Sequence, residues 1–90
     1  MKTILITGAT SGIGLAAAKK LANDKNQLIL CGRRQQKLDE ISKELSAITN
    51  VLSLYFNVSD KNEVNKILEN LPREFSSIDI LINNAGNAHG

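Results

Sequence analysis

Four short apolar segments divide the chain, at residues 3–6, 27–31, 51–56 and 78–82. The first two are unbroken runs, which are typical of parallel strands buried on both faces, and the other two are interpreted as strands of the same sheet. Between these segments, apolar residues recur at spacings of three and four, which predicts amphipathic helices. Strand and helix therefore alternate along the whole chain.

Each of the three predicted helices carries an apolar stripe. The first helix is expected to run from a glycine-rich turn to about Ala22, with an alanine-rich buried face. Ser59 or Asp60 should cap the third helix, Glu63 is placed to complete the capping arrangement, and Pro72 should end the helix. The stripes are Ile13, Ala16, Ala17 and Leu21 in the first helix, Leu38, Ile41, Leu45 and Ile48 in the second, and Val64, Ile67, Leu68 and Leu71 in the third.

The alternation of four strands with three helices predicts an α/β fold of the Rossmann type, a doubly wound parallel sheet with flanking helices. Right-handed crossovers then give the spatial strand order 3-2-1-4. Strands 1 and 4 become neighbours, and the crevice at their carboxyl ends is the topological switch point at which such sheets bind ligands. Residues 1–90 are expected to form one domain.

A glycine-rich turn, Thr-Gly-Ala-Thr-Ser-Gly-Ile-Gly at residues 7–14, joins the first strand to the first helix. Such a turn leaves backbone N–H groups of the helix unpaired, and these groups bind phosphate. Gly8 permits a sharp turn with positive φ, Gly12 lets the backbone approach a pyrophosphate, and Gly14 lets the helix lie close to the strand. Thr10 and Ser11 add hydroxyl groups. With a strand before it and a helix after it, the turn predicts a dinucleotide site.

Two motifs resemble those of the short-chain dehydrogenase/reductases. The turn matches the Thr-Gly-x-x-x-Gly-x-Gly of that family, and Asn-Asn-Ala-Gly at residues 83–86 follows the fourth strand, as in the family. The resemblance covers all 90 residues and implies an oxidoreductase that moves hydride between a dinucleotide and a hydroxyl or carbonyl substrate. Residues 71–90, with Gly-Arg-Arg at 32–34, are similar to the NADP-dependent 3-hydroxy acid dehydrogenases that oxidise serine or allo-threonine. A general NADPH-dependent ketone or acyl-thioester reductase and a non-catalytic NADP-binding module remain as alternatives.

The end of the second strand indicates which dinucleotide is bound. NAD-binding folds place an acid about 20 residues beyond the glycine turn, where it takes the ribose hydroxyls. Here the strand ends in Gly32, Arg33 and Arg34, and the first acid afterwards, Asp39, is already in the helix. Gly32 has no side chain to obstruct a 2′-phosphate, and an arginine can hold that phosphate. We therefore predict NADP, with a solvated surface pair of arginines as the alternative reading.

The resemblance implies further cofactor contacts. Asn57-Val58 stands where the family usually has Asp-Val near the adenine, although Asn57 equally fits a turn residue. Residues 84–86 look like ribose-side contacts, whereas Asn83 is more often a residue that braces the sheet. The full set of expected cofactor-binding residues is Gly8, Thr10, Ser11, Gly12, Ile13, Gly14, Arg33, Arg34, Asn57, Val58, Asn84, Ala85 and Gly86.

The catalytic Ser and Tyr-x-x-x-Lys of the family have no counterpart in these 90 residues. Tyr55 is the only tyrosine, and the position four residues later holds Ser59, so Tyr55 is assigned to strand packing. Cys31 is interpreted as a core residue, and the only histidine, His89, is given no role. The chain is therefore expected to be the N-terminal, cofactor-binding portion of a longer oxidoreductase, as a fragment or a truncated product, and to be inactive alone.

Composition limits the possible partners. A net charge of +2 and three aromatic residues argue against nucleic acid, and a single cysteine excludes an internal disulfide and a thiolate metal cluster. No metal site is expected, and a cytoplasmic location is expected because the sequence shows no signal peptide or apolar segment of about 20 residues. The expected partners are a small-molecule substrate of the parent protein and a second copy of the chain. If the chain ends at Gly90, Ile80 and Ile82 lie on a strand without an outer neighbour, which predicts self-association or poor solubility.

Overall fold

The computed structural model describes residues 1–10, 12–55 and 61–84. The strands form one parallel sheet in the order β3-β2-β1-β4. The predicted doubly wound topology and strand order are therefore confirmed. In chain order the elements are β1 (Lys2–Thr7), α1 (Gly12–Leu21), β2 (Asn26–Gly32), α2 (Gln35–Leu45), β3 (Val51–Tyr55), α3 (Lys61–Glu69), a 3-10 helix (Arg73–Phe75) and β4 (Ile80–Asn83).

The two central strands, β1 and β2, carry the core. Residues 4–6 of β1 are at most 4% exposed, and residues 28–31 of β2 are 0% exposed. Alternate side chains of these strands pack on opposite faces of the sheet, one face against α1 and α2 and the other against Phe75 and partly buried residues of α3. Burial on both faces is the physical reason for the unbroken apolar runs.

The buried face of helix α1 is rotated relative to the predicted one and only partly overlaps it. Gly14 and Ala18 are buried, whereas Ile13 is 76% exposed and Ala16 is also exposed. The three-to-four spacing is present but shifted by one residue, because the contact of Gly14 with the end of β1 fixes the rotation of the helix. The predicted stripe is wrong for Ile13 and Ala16, whereas Ala17 and Leu21 pack partly buried against the core. The prediction of an alanine-rich buried face is confirmed for Ala18.

The stripe of α2 is buried only as far as the helix extends. Leu38, Ile41 and Leu45 are buried as predicted, but Ile48 lies beyond the end of the helix and is 52% exposed. The N–H groups of Ile48 and Thr49 both donate to the carbonyl oxygen of Leu45, at 2.9 and 3.1 Å, so the chain turns sharply after α2. This turn removes Ile48 from the helical face, and its predicted burial is wrong.

Helix α3 is less buried than its pattern predicts. Val64 and Ile67 are partly buried and Leu68 is 39% exposed, since an apolar groove of about 210 Å³ remains between α3 and the outer part of the sheet. The helix ends before Pro72, as predicted. The predicted caps Ser59 and Asp60 lie outside the described residues.

A group of hydrogen bonds at the amino-terminal edge of the sheet fixes the register of β4. Asp79 Oδ2 accepts from the Thr3 N–H at 2.8 Å, and the Asp79 N–H donates to the Thr3 carbonyl oxygen at 2.9 Å. Gln27 Nε2 donates to Thr3 Oγ1 at 2.8 Å and to the Glu74 carbonyl oxygen at 2.5 Å. These contacts hold β4 against β1, which brings Asn83 beside Thr7 at the opposite edge.

Cys31 is a core residue, as predicted, with a 0% exposed side chain. Burial raises the pKa of its thiol from 9.0 to about 12, because the apolar surroundings disfavour the thiolate. The unfolded chain therefore loses this proton at a lower pH than the folded protein does. This contribution to stability is fully present below pH 9 and is lost as the pH rises between about 9 and 12.

We expect the free energy of unfolding to fall more steeply with pH above 9 in the parent chain than in a Cys31→Ala variant. The expected difference in slope is up to about 1.4 kcal/mol per pH unit, the value of one pKa unit. Urea unfolding of both proteins at pH 7.5, 9.5 and 10.5 measures this difference. Equal slopes in the two proteins would contradict the assignment.

Candidate functional site

The glycine-rich turn folds over the carboxyl ends of β1 and β2. Gly8, directly after β1, has φ 62°, and Gly12, at the start of α1, has φ 57°, while no other residue type in the described ranges has a positive φ. The turn is anchored to β2 because the Ala9 N–H donates to the Cys31 carbonyl oxygen at 3.0 Å. The predicted conformational role of Gly8 is confirmed, and Gly12 has the same left-handed conformation.

Gly14 is the point of closest approach between α1 and the turn. A Cβ atom at this position would overlap the carbonyl oxygen of Gly8 and would lie 2.9 Å from Asn84 Nδ2. The predicted close packing of helix on strand is therefore confirmed, and its contacts are a backbone carbonyl and an asparagine amide. At Gly12, by contrast, a Cβ atom would meet nothing within 4 Å, so the space around Gly12 is open.

The two sequence motifs meet at the switch point between β1 and β4. Asn84 Nδ2 donates to the Gly8 carbonyl oxygen at 3.2 Å, across 76 positions of sequence. Thr7 Oγ1 donates to Asn83 Oδ1 at 2.9 Å. Asn83 thus braces the sheet, as the resemblance implies, and Asn84 supports the glycine turn through its amide nitrogen. The contribution of Thr7 was missed from the sequence, although its hydroxyl stands at the first position of the motif.

The two arginines stand at the start of α2. Both are exposed, Arg34 occupies the cap position without a side-chain cap, and the first turn contains no acid. The first hydrogen bond of the helix runs from the Leu38 N–H to the Arg34 carbonyl oxygen at 2.9 Å, which leaves the preceding N–H groups without helical partners. Neither arginine forms a salt bridge with another residue of the described ranges. Two cations beside a helix N-terminus form a site suited to an anion.

Gly32 ends β2 for a reason that the sequence did not reveal. A Cβ atom at this position would lie 2.8 Å from Thr10 Cγ2 and 3.7 Å from Leu38 Cδ1. From the sequence, Gly32 is expected to leave room for a phosphate, whereas in the structure Thr10, only 6% exposed, packs against it.

Tyr55 does not have the packing role predicted from the sequence. It pairs in register with Gly32 and is 58% exposed, so that prediction is wrong.

The structure places the described members of the expected cofactor-binding set at one edge of the sheet, where β1, β2 and β4 end. Ser11, Asn57, Val58, Ala85 and Gly86, together with His89, lie outside the described residues. The described members are Gly8, Thr10, Gly12, Ile13, Gly14, Arg33, Arg34 and Asn84.

The described residues were compared with the requirements of a metal-binding cluster and of a membrane-spanning helix. Residues 1–10, 12–55 and 61–84 contain no group of three or more His, Cys, Asp or Glu side chains that could hold a metal ion. Within the same ranges, no helix combines the length and the apolar character needed to cross a bilayer. The described groups at the site are backbone amides, the hydroxyl of Thr10, the amide of Asn84 and the two arginines.

Comparison with protein families decides which group of proteins shares this arrangement. Residues 2–90 match the family described as short chain dehydrogenase. The chain belongs to the short-chain dehydrogenase family. The resemblance drawn from the glycine turn and Asn-Asn-Ala-Gly is thereby confirmed.

Two of the three relatives described here are named with NADP or NADPH. The chain is 50% identical over 92 residues to the NADP-dependent 3-hydroxy acid dehydrogenase of Schizosaccharomyces pombe, covering 99% of this chain and 36% of that protein. It is 43% identical over 88 residues to the serine 3-dehydrogenase of Rhizobium radiobacter, covering 98% of this chain and 34% of that protein. The structure superimposes on L-sorbose reductase of Gluconobacter frateurii complexed with NADPH and L-sorbose, with a TM-score of 0.82, 33% identity, and coverage of 92% and 32%.

The coverage figures define the extent of the similarity. The chain spans about a third of the length of these relatives, 32% to 36%. The fold and the family are thus shared over nearly the whole chain. The predicted NADP is the cofactor named for the yeast relative and, as NADPH, for the sorbose reductase complex.

Proposed function

We propose that residues 1–90 form the NADP-binding portion of a short-chain oxidoreductase. The observation that carries this proposal is the convergence of three features at one edge of the sheet. The glycine turn follows β1, and Asn84 donates to the carbonyl oxygen of Gly8. Arg33 and Arg34, which form no salt bridge within the described ranges, directly precede α2. Together they provide two separate anion sites, as a dinucleotide with a 2′-phosphate requires.

The residues fit the two charged parts of NADP. The pyrophosphate is assigned to the N-terminus of α1, where the space around Gly12 is open and helical N–H groups are available. The 2′-phosphate is assigned to Arg33 and Arg34, which can donate charge-assisted hydrogen bonds. When bound, the nicotinamide supplies or accepts hydride, and the protein's part is to hold and orient it.

For the whole protein, we propose a 3-hydroxy acid such as serine as the substrate. The identities of 50% and 43% to relatives named for these reactions support this choice over a general ketone or acyl reductase. The 90 residues alone are proposed to bind NADP without catalysis, because they contain no Tyr-x-x-x-Lys pair to move the proton that accompanies hydride.

A reducing cytoplasmic location is proposed from Cys31, which is a free and buried cysteine.

Calorimetric titration of NADPH and NADH into the purified chain tests the cofactor. We expect NADPH to bind at least about tenfold more tightly, because a lost hydrogen bond to a charged group weakens binding by about 1.5 kcal/mol or more. Competition by 2′,5′-ADP but not by 5′-AMP would locate the effect at the 2′-phosphate. Equal affinities for NADPH and NADH would contradict the proposed NADP site.

An activity assay tests the proposed lack of catalysis. Turnover of 3-hydroxy acids or ketones above a buffer blank, with host reductases excluded, would contradict the inactivity of the 90 residues.

We also propose that the protein self-associates, since β4 is at the edge of the described sheet. The sequence singled out Ile80 and Ile82, but in the structure Ile80 and Leu81 are exposed, at 39% and 62%, while Ile82 packs partly against the core. An unpaired edge with exposed apolar side chains favours pairing with another chain. Light scattering should show association that Leu81→Lys reduces, and a monomer at all concentrations would oppose the idea.

A further inference from the structure

We propose that Thr10 helps to select the cofactor by excluding a side chain, above all a carboxylate, from position 32. This inference rests on the proposed NADP-binding function and adds to it a residue that acts on specificity through a neighbour. Its basis is the contact between the glycine turn and the last residue of β2, where a Cβ atom at Gly32 would lie 2.8 Å from Thr10 Cγ2.

The backbone of Gly32 does not itself demand glycine. Its φ is not among the positive values, which occur only at Gly8 and Gly12 in the described residues. The next atom a Cβ would meet beyond Thr10, Leu38 Cδ1, is at 3.7 Å, an ordinary van der Waals distance. The methyl group of Thr10 is therefore the specific obstacle to any larger residue at this position.

Thr10 is held firmly enough to act as an obstacle. It is 6% exposed, and the preceding Ala9 is 0% exposed and donates its N–H to the Cys31 carbonyl oxygen at 3.0 Å. This bond ties the turn to the residue directly before Gly32. A β-branched side chain has few rotamers, and burial restricts them further. Thr10 therefore cannot move away from Gly32 without disturbing the anchored turn.

The consequence for specificity follows from the position of Gly32. The end of the second strand is where NAD-binding folds place the acid that takes the ribose hydroxyls. With Thr10 packed over Gly32, no acid can be accommodated there, and Arg33 is the first side chain at this end of β2. The preference for a 2′-phosphate is thus determined by the Thr10–Gly32 contact as well as by the charge of Arg33.

The test uses Gly32→Asp in the presence of Arg33→Ala, with three residues at position 10. Thr10→Ser removes the methyl group and keeps the hydroxyl, whereas Thr10→Val keeps the methyl group and removes the hydroxyl. With Thr10 intact, the double variant should melt at least about 5 °C below Arg33→Ala alone. Adding Thr10→Ser should restore the melting temperature and tighten NADH at least about tenfold relative to Arg33→Ala. Adding Thr10→Val should do neither.

A second pair of variants, Gly32→Ala with and without Thr10→Ser, separates the effect of side-chain size at position 32 from the effect of its charge. Gly32→Ala adds only the Cβ atom and should lower the melting temperature, and Thr10→Ser should relieve that loss. The proposal is overturned if Gly32→Asp folds well and tightens NADH with Thr10 intact, if Thr10→Val relieves the defect as well as Thr10→Ser, or if Thr10→Ser relieves nothing. Absence of NADPH binding by the parent chain would instead refute the proposed function, while the melting temperatures still decide whether Thr10 excludes a side chain.

Discussion

Gly14→Ala is expected to remove a large part of the stability of the protein. The new Cβ atom would overlap the carbonyl oxygen of Gly8 and come within 2.8 Å of the Gly8 carbonyl carbon. These are backbone atoms, and the same carbonyl oxygen accepts the hydrogen bond from Asn84 Nδ2. Overpacking costs about 1–3 kcal/mol and sometimes more, and a clash with backbone belongs at the upper end. We expect a loss of about 3 kcal/mol or more, against a total of roughly 5–15 kcal/mol for a protein.

Gly12→Ala is the matched control for that loss. Its Cβ atom would meet nothing within 4 Å, so its cost comes only from the left-handed φ of 57°. This cost is about 1–2 kcal/mol. Urea unfolding of the two variants and the parent measures both values. If Gly14→Ala proved no more destabilising than Gly12→Ala, the close approach of α1 to the turn would not be a constraint on the fold.

Arg33→Ala is expected to weaken NADPH by roughly ten- to over a hundredfold and to leave NADH nearly unchanged. Arg33 is exposed, follows Gly32 directly and forms no salt bridge in the described part of the chain, so its charge is available to a ligand. Losing a hydrogen bond to a charged group costs about 1.5–3 kcal/mol, which gives this range of affinity. The effect should shrink at high salt, because exposed charges are screened.

Two variants define what Arg33 contributes. Arg33→Lys retains the charge but not the forked geometry, so we expect an intermediate loss of NADPH affinity. Arg34→Ala tests the neighbouring arginine, which caps α2 without a side-chain hydrogen bond. Titration of both cofactors into each variant measures these effects. Equal weakening of NADPH and NADH by Arg33→Ala would mean that Arg33 supports the loop and does not read the 2′-phosphate.

The strand order could be predicted from the sequence because strands alternate with helices, and right-handed crossovers then give the order 3-2-1-4. The rotation of α1 about its axis could not be predicted, since its apolar residues allow either of two neighbouring helix faces to be buried. The choice between those faces is made by the contact of Gly14 with the Gly8 carbonyl group, a property of three-dimensional packing. The burial of Ile48 could not be predicted from spacing either. Its spacing continues the apolar stripe of α2, but the helix ends before Ile48 and the chain turns there.

The candidate site could be located from its motifs, but the contacts within it could not be predicted. The glycine turn and the arginine pair are local patterns with known chemistry. Thr10 and Gly32, however, meet only because the turn is hydrogen-bonded to the end of β2. Asn84 reaches Gly8 only because β1 and β4 are neighbours in register. Such contacts depend on the assembled sheet and leave no signal in the spacing of residues.

The pairing of β1 with β4 also sets the order in which the site can form during synthesis. Asp79 and Thr3 are 76 positions apart, and at about 5–20 residues per second the ribosome needs roughly 4 to 15 seconds to add the intervening chain. The glycine turn is made early, but the asparagine that supports its carbonyl group is made late. A nascent chain therefore carries the turn that we propose to bind phosphate well before Asn84 can support it, and we expect cofactor capture to wait for β4.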